Sequence, residues 1–102
     1  MEEARDILHK FNAIDMRKDC CILYTNRALT YNKLGKGKKA LYDCEMALAL
    51  DKSSLNAMLY KAVALSLLGK NTDAKNMLEH ALVEHPDCLY RITEYQKKLN
   101  LK

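Results

Sequence analysis

The sequence is poor in the residues that build turns and contains no tryptophan. Its 102 residues include three glycines and one proline. An all-β sandwich needs many short turns, and such turns depend on glycine, proline and asparagine. Helix-favouring alanine, leucine and lysine are abundant instead. The composition therefore predicts one small all-α domain.

Long apolar runs and a recognisable targeting segment are also missing. No apolar stretch approaches the roughly 18 residues that cross a bilayer, and the first residues lack the basic and then apolar order of a signal peptide. We therefore expect a soluble protein with no membrane partner. Its expected location is the cytoplasm, with the nucleus as the alternative.

The cysteines give no metal signature. Cys20, Cys21, Cys44 and Cys88 form no C-x2-C pair and have no histidine at ligand spacing. We expect reduced and mostly buried thiols, no metal ion and no other cofactor. A disulfide framework or a zinc site is the minor alternative.

The charge balance gives little information about a partner. The 17 basic and 13 acidic side chains leave a net charge of +4, and the two signs are interspersed. This excess favours an acidic partner over a basic one without indicating nucleic acid.

An internal repeat is the strongest pattern in the sequence. A shift of 34 positions places Leu34-Gly35-Lys36 on Leu68-Gly69-Lys70. The same shift superposes small residues, whose size sets how closely two helices can pack: Ala28 on Ala62, Ala40 on Ala74, and Ala47 on Ala81. The repeat units are therefore predicted to run over residues 21–54 and 55–88.

Helical spacing of the apolar residues predicts a helix, a tight turn and a second helix in each unit. Gly35 and Gly69 fall where the end of a helix requires a positive φ angle. Ser53-Ser54 offers N-cap oxygens for the third of these helices, and Asn71-Thr72 for the fourth.

The flanks fit the same scheme in part. Residues 2–15 are predicted to form the second helix of a preceding repeat, with residues 15–19 as a connection. Pro86 breaks the chain before a last helix that begins near Asp87 and supplies a cap over residues 89–100. The apolar face of the first segment has a single neighbour within the chain, so we expect it to lie exposed or to form a homodimer contact. Its residues are Ile7, Leu8, Phe11 and Ile14.

These residues together resemble the tetratricopeptide repeat. The matching motifs are Tyr24-x2-Arg27-Ala28-x2-Tyr31 with Leu34-Gly35, then Met58-x2-Lys61-Ala62-x2-Leu65 with Leu68-Gly69 and Pro86. The resemblance implies an all-α fold of helix-turn-helix repeats stacked as a right-handed superhelix, an α-solenoid. It also implies a non-catalytic adaptor that binds a peptide or partner segment in its concave groove.

Family geometry implies which residues line that groove, because the first helix of each repeat forms its wall. The positions expected to face a ligand are Thr25, Asn26, Leu29, Asn32 and Lys33, followed by Asn56, Leu59, Tyr60 and Val63. The apolar members of the second set suit a hydrophobic peptide or a partner helix.

Part of the first unit is similar to the carboxylate-clamp repeats of co-chaperones, which grip the C-terminal carboxylates of heat-shock chaperones. Asn26 occupies the place of an asparagine that donates to the terminal carboxylate. Asn56 and Tyr60 stand where the clamp has a lysine and an arginine, so two charge-assisted donors for an acidic tail are missing. A chaperone tail is therefore one candidate partner, beside a more hydrophobic segment.

Two other readings stay open. The module could act structurally, by stacking on further repeats or on itself. Four lysines cluster around the first turn and could also contact RNA: Lys33, Lys36, Lys38 and Lys39. We nevertheless expect a solvated turn, because no aromatic residue is interleaved among them. Nucleic acid is thus the weaker partner class.

Catalysis is not expected. Ser53, Ser54 and Ser66 have no histidine and carboxylate suggested nearby, and no carboxylate pair lies in an apolar setting. The sequence therefore predicts a binding module without catalytic residues.

Overall fold

The computed structural model describes residues 16–99. Five α-helices and one 3₁₀ helix form this part of the chain: α1 (Met16–Lys33), α2 (Gly37–Leu50), α3 (Leu55–Leu67), α4 (Asn71–Glu84), the 3₁₀ helix Pro86–Cys88, and α5 (Leu89–Lys98). Each α-helix packs against the next one, and α1 also packs against α3. The predicted all-α fold of stacked helix-turn-helix units is confirmed.

The turn between α1 and α2 and the turn between α3 and α4 share one geometry. Gly35 and Gly69 adopt φ angles of 74° and 79°. In the first turn the Gly35 N–H donates to the Asn32 carbonyl oxygen at 3.0 Å, and the Lys36 N–H donates to that of Tyr31 at 2.8 Å. This is a Schellman motif, which pairs carbonyl groups that the helix end would leave without partners. The predicted positive φ angles are confirmed at both glycines.

One of the two predicted helix N-caps is confirmed. The Ser54 hydroxyl caps α3 by accepting a hydrogen bond from the Ala57 N–H at 3.3 Å, as predicted. The predicted cap from Asn71 and Thr72 is wrong. Helix α4 already begins at Asn71, and its N-cap Lys70 makes no side-chain hydrogen bond.

Helix α1 begins earlier than the sequence predicts. A connection was expected over residues 15–19, whereas α1 begins at Met16. No glycine or proline interrupts this segment, and Asp19 in the first turn interacts favourably with the helix dipole. At the other end, α5 begins at Leu89 because Pro86 starts a 3₁₀ turn that runs past Asp87.

Alanine permits the close packing of these helices. Six alanines that recur between the two units are fully buried, at 0% exposure: Ala28, Ala40, Ala47, Ala62, Ala74 and Ala81. Helix axes approach to about 8–10 Å only where the contact side chains are small. Met58 and Leu78 are buried in the same main hydrophobic core as all of these alanines except Ala47, which lies in a second cluster.

One ion pair lies in the interface between α1 and α2. The Asp43 carboxylate is 1% exposed and accepts hydrogen bonds from Arg27 Nε at 2.7 Å and Arg27 Nη2 at 2.6 Å. The ring centroids of Tyr24 and Tyr31 lie 5.7 and 5.9 Å from the guanidinium carbon. Hydrogen bonding to Asp43 raises the pKa of Arg27. A carboxylate buried this deeply depends on its cationic partner.

Three cysteine thiols are buried and the fourth is half-buried, as the sequence predicts. Burial raises the pKa of Cys44 to about 12. The reactive thiolate of this residue is therefore scarce at neutral pH.

The variant Asp43→Ala should be strongly destabilised, because it leaves the Arg27 guanidinium without its counter-ion. We expect the free energy of unfolding in urea to fall by about 3–5 kcal/mol. Asp73→Ala, at the exposed start of α4, is the matched control and should cost less than about 1 kcal/mol. Equal losses in the two variants would contradict the role given to the ion pair.

The native protein should also discriminate between its thiols. In a reaction with a disulfide reagent at pH 8, Cys88 should be modified first and Cys44 only when the chain unfolds. Mass spectrometry of the peptides locates the label. Early modification of Cys44 in the folded protein would show that its burial is wrong.

Candidate functional site

Helices α1, α3 and α5 enclose a cleft of about 240 Å³. We call it the α1–α3–α5 cleft. It is lined by Leu29, Asn32 and Lys33 from α1, Tyr60 and Val63 from α3, and Tyr95, Lys98 and Leu99 from the last segment. The first helices of the two repeat units thus form two of its walls, and the predicted capping helix forms the third.

The cleft has an apolar floor and a cationic rim. Leu29, Val63 and Leu99 are half-buried, so part of each side chain is open to a ligand. Lys33 and Lys98 are exposed at the edges. Such a surface can bury an apolar side chain and attract nearby carboxylates.

Asn32 links two walls of the cleft and keeps an unused acceptor. Its Nδ2 donates a hydrogen bond to the Tyr60 carbonyl oxygen at 3.0 Å. Its Oδ1 is buried and has no hydrogen-bond partner among residues 16–99. Buried acceptors without partners are uncommon in folded proteins. A ligand N–H reaches this oxygen only if the amide turns towards the cleft, which would disturb the bond to Tyr60.

Tyr95 contributes a half-buried phenol to the cleft. Burial raises the pKa of its hydroxyl, the Coulombic interaction with Tyr60 acts in the same direction, and Arg91 opposes it. The hydroxyl therefore stays protonated at neutral pH and can donate a hydrogen bond. Lys98 Nζ lies 5.9 Å from the centroid of the same ring, within range of a cation–π interaction.

Five of the nine residues predicted for the groove lie together in this cleft: Leu29, Asn32, Lys33, Tyr60 and Val63. Two others are not open to a ligand. Leu59 is fully buried in the main core, because α3 is covered by α1, α2 and α4. Thr25 is 4% exposed, and its hydroxyl donates to the Ile22 carbonyl oxygen at 2.9 Å. The expectation that these two side chains face a ligand is therefore wrong.

The remaining two predicted residues, Asn26 and Asn56, are exposed outside the cleft lining. The Asn56 Oδ1 accepts a hydrogen bond from Arg91 Nη2 at 2.5 Å. Arg91 belongs to α5 and is itself exposed. A cation from another helix therefore stands beside the position where the clamp resemblance implies a lysine.

No residue of α5 was predicted to line the groove. Tyr95, Lys98 and Leu99 follow each other at spacings of three and one, which places them on one helical face. That spacing predicts a shared face, but it does not reveal that the face closes the groove. The residues predicted for self-association, Ile7, Leu8, Phe11 and Ile14, lie outside the described residues.

Neither a metal cluster nor a membrane span is found where the structure can be described. Across residues 16–99, no group of three or more histidine, cysteine, aspartate or glutamate side chains is placed to hold a metal ion. Among the same residues, no helix is both long and apolar enough to cross a membrane.

Comparison with known proteins finds relatives in several longer chains. Human "Tetratricopeptide repeat protein 12" is 30% identical over 96 residues, which cover 94% of this chain and 14% of the relative. Wheat "Hsp70-Hsp90 organizing protein" is 32% identical over 104 residues, which cover 89% of this chain and 18% of the relative. Mouse "Sperm-associated antigen 1" is 39% identical over 61 residues, which cover 59% of this chain and 7% of the relative. This chain thus spans less than a fifth of each of these relatives.

No family profile matches the chain, and no solved structure matches it.

Proposed function

This chain belongs to the tetratricopeptide repeat family, and from that premise we propose that it is a protein-interaction adaptor that holds an extended segment of its partner in the α1–α3–α5 cleft. The adaptor role in general is supported by its relatives. The role of the cleft rests on its geometry and chemistry. The proposed role is binding without catalysis.

The composition of the cleft is the observation that carries this proposal. An apolar floor between two exposed lysines suits a short segment with an apolar side chain flanked by acidic ones. The Asn32 Oδ1, which has no partner among the described residues, would accept from a backbone N–H of such a segment once its amide turns towards the cleft. An extended chain offers backbone N–H groups that are not used in its own secondary structure.

A chaperone C-terminal tail is the specific partner to test first. One relative is named an Hsp70-Hsp90 organizing protein, and Asn26 matches one residue of the clamp. The clamp cation missing at Asn56 has a neighbour in Arg91, which bonds to that asparagine. A tail that ends in Glu-Glu-Val-Asp combines carboxylates with an apolar side chain, so it also suits the cleft itself.

A structural role is the second candidate. Val83, Leu89 and Tyr90 are 78%, 55% and 79% exposed near the C-terminal end of the helix stack. Exposed apolar side chains of this size favour contact with a further repeat or another molecule.

Binding should depend on the cleft and not on exposed apolar surface in general. A fluorescein-labelled peptide ending in Glu-Glu-Val-Asp is expected to bind with micromolar affinity, measured by fluorescence polarisation. Val63→Asp places a carboxylate on the apolar floor and should weaken binding at least about tenfold. Val83→Asp makes the same change on the exposed face of α4 and should leave binding unchanged.

A second pair of variants tests the rim. Lys98→Glu should weaken binding, whereas Lys97→Glu, one position away and outside the cleft lining, should have little effect. Amidation of the peptide C-terminus distinguishes a chaperone tail from an internal acidic segment, because only the tail depends on its terminal carboxylate. Absence of binding to both peptides would overturn the acidic-segment proposal, and equal effects of Val63→Asp and Val83→Asp would remove the cleft from it.

A further inference from the structure

A second pocket lies on the opposite side of α1 from the cleft. Arg27 and Tyr31 stand two positions before Leu29 and Lys33, and two positions correspond to about 200° around an α-helix. Together with the start of α2 they form a pocket of about 330 Å³, lined by Arg27, Tyr31, Lys38, Lys39, Tyr42 and Asp43. We call it the lysine–tyrosine pocket.

The pocket carries unbalanced positive charge. Its one acidic side chain, Asp43, is neutralised by the two hydrogen bonds from Arg27. Lys38 and Lys39 are exposed, and neither forms an ion pair with any residue that the structure describes. Two cations are therefore presented to solvent.

The second repeat shows that the fold does not require these cations. The shift of 34 positions takes Lys39 to Asp73. Asp73 lies in the first turn of α4, where the helix dipole favours a negative charge. The first turn of α2 contains no acidic residue and carries lysines, which oppose the same dipole. The first repeat thus keeps an electrostatically unfavourable pair of charges at an exposed site.

The equivalent pocket of the second repeat has a different lining. It measures about 380 Å³ and contains both Glu45 and Asp73 opposite Lys61 and Lys70. Its charges are therefore mixed. The tyrosines are also specific to the first repeat, since the shift takes Tyr31 to Leu65 and Tyr42 to Asn76.

Aromatic rings stand beside the two lysines in the folded chain. Tyr42 is 58% exposed and lies one helical turn from both Lys38 and Lys39. Tyr31 is already in contact with cations, because Lys39 Nζ and the Arg27 guanidinium carbon lie 5.7 and 5.9 Å from its centroid. Tyr31 therefore helps to hold Lys39, and Tyr42 offers the open aromatic face.

This arrangement changes the expectation for the lysine-rich turn. Along the sequence no aromatic residue separates these lysines, which predicts a solvated turn. Folding places Tyr31 of α1 and Tyr42, one turn further along α2, next to Lys38 and Lys39. A stacking surface beside cations is the arrangement that sequence-tolerant single-strand binding uses.

We propose that the lysine–tyrosine pocket binds single-stranded nucleic acid, with one base stacked on Tyr42 and the adjoining phosphates contacted by Lys38 and Lys39. The base supplies the flat apolar surface, and the phosphates supply the charge that the lysines lack in the free protein. Because the pocket and the cleft lie on different faces of α1, the module can hold a nucleic acid and a protein segment together.

The charge variant tests the phosphate contacts in the full chain with fluorescein-labelled decauridine at 50 mM salt. Lys38→Glu/Lys39→Glu should weaken binding more than tenfold and lower the salt slope of log K by about 1.4, because each phosphate contact of a single strand contributes about 0.7. Its melting temperature should not fall, because glutamate at a helix start is favourable. Lys70→Glu/Lys75→Glu makes the same charge change around the second turn and should retain binding.

The ring variant tests the stacked base. Tyr42→Ala should weaken binding about tenfold, and Tyr42→Phe should retain it. An abasic oligomer of the same length should bind the wild-type chain as weakly as decauridine binds Tyr42→Ala. Decathymidine, measured in parallel, distinguishes RNA from DNA as the ligand. Equal binding would mean that the pocket accepts both RNA and DNA, and preference for decauridine would mean that it is specific for RNA.

Three results would overturn the proposal. One is the absence of binding to both oligomers at 100 µM protein. Another is an equal loss of binding in the two double-lysine variants, since that would indicate nonspecific electrostatic binding without a defined site. The third is equal binding of abasic and complete oligomers together with displacement by a phosphoserine peptide, which would assign the pocket to a phosphorylated protein.

Discussion

The close approach of helices at fully buried alanines is the constraint on which the rest of this structure depends. Ala28 on α1 and Ala62 on α3 have no exposed surface. Small side chains in the core let neighbouring helices approach closely, and α1 packs against α3 so that Asn32 of one helix reaches the Tyr60 carbonyl oxygen of the other. A larger side chain at either alanine would overpack the core and shift the helices that carry two walls of the cleft.

This packing divides the surface of α1 between different tasks. Ala28 contacts the core, Leu29 and Lys33 line the cleft, and Arg27 and Tyr31 line the pocket on the other side. The apolar residues of α1 are accordingly spread around the helix and do not form one stripe. Helix α3 is covered still more completely, which leaves Tyr60 and Val63 as its contributions to the cleft.

Features set by residue size and local backbone conformation were predictable from the sequence. The recurring alanines and the two turn glycines have strict local requirements, and the structure confirms both sets. Side-chain orientation around a helix with several neighbours was less predictable. Leu59 matched a groove position by its place in the repeat, yet it is fully buried on a helix that packs against three others.

Contacts between residues that are far apart in the sequence could not be predicted from the sequence pattern. The pairing of Arg27 with Asp43 and the position of Arg91 beside Asn56 join residues 16 and 35 positions apart. The start of α1 was predicted too late for a different reason. Residues 16–20 contain no helix-breaking glycine or proline, and the expected connection relied on repeat length alone. The closure of the cleft by α5 likewise required the orientation of the last helix.

The central claim is that the α1–α3–α5 cleft receives the partner segment. Its most direct test is an NMR titration of methyl-labelled protein with the peptide that ends in Glu-Glu-Val-Asp, following leucine and valine methyl groups. We predict progressive shifts at Leu29, Val63 and Leu99, with Val83 unchanged. Shifts confined to Val83 and Leu89 would contradict the account and place the interaction on the exposed C-terminal end of the stack.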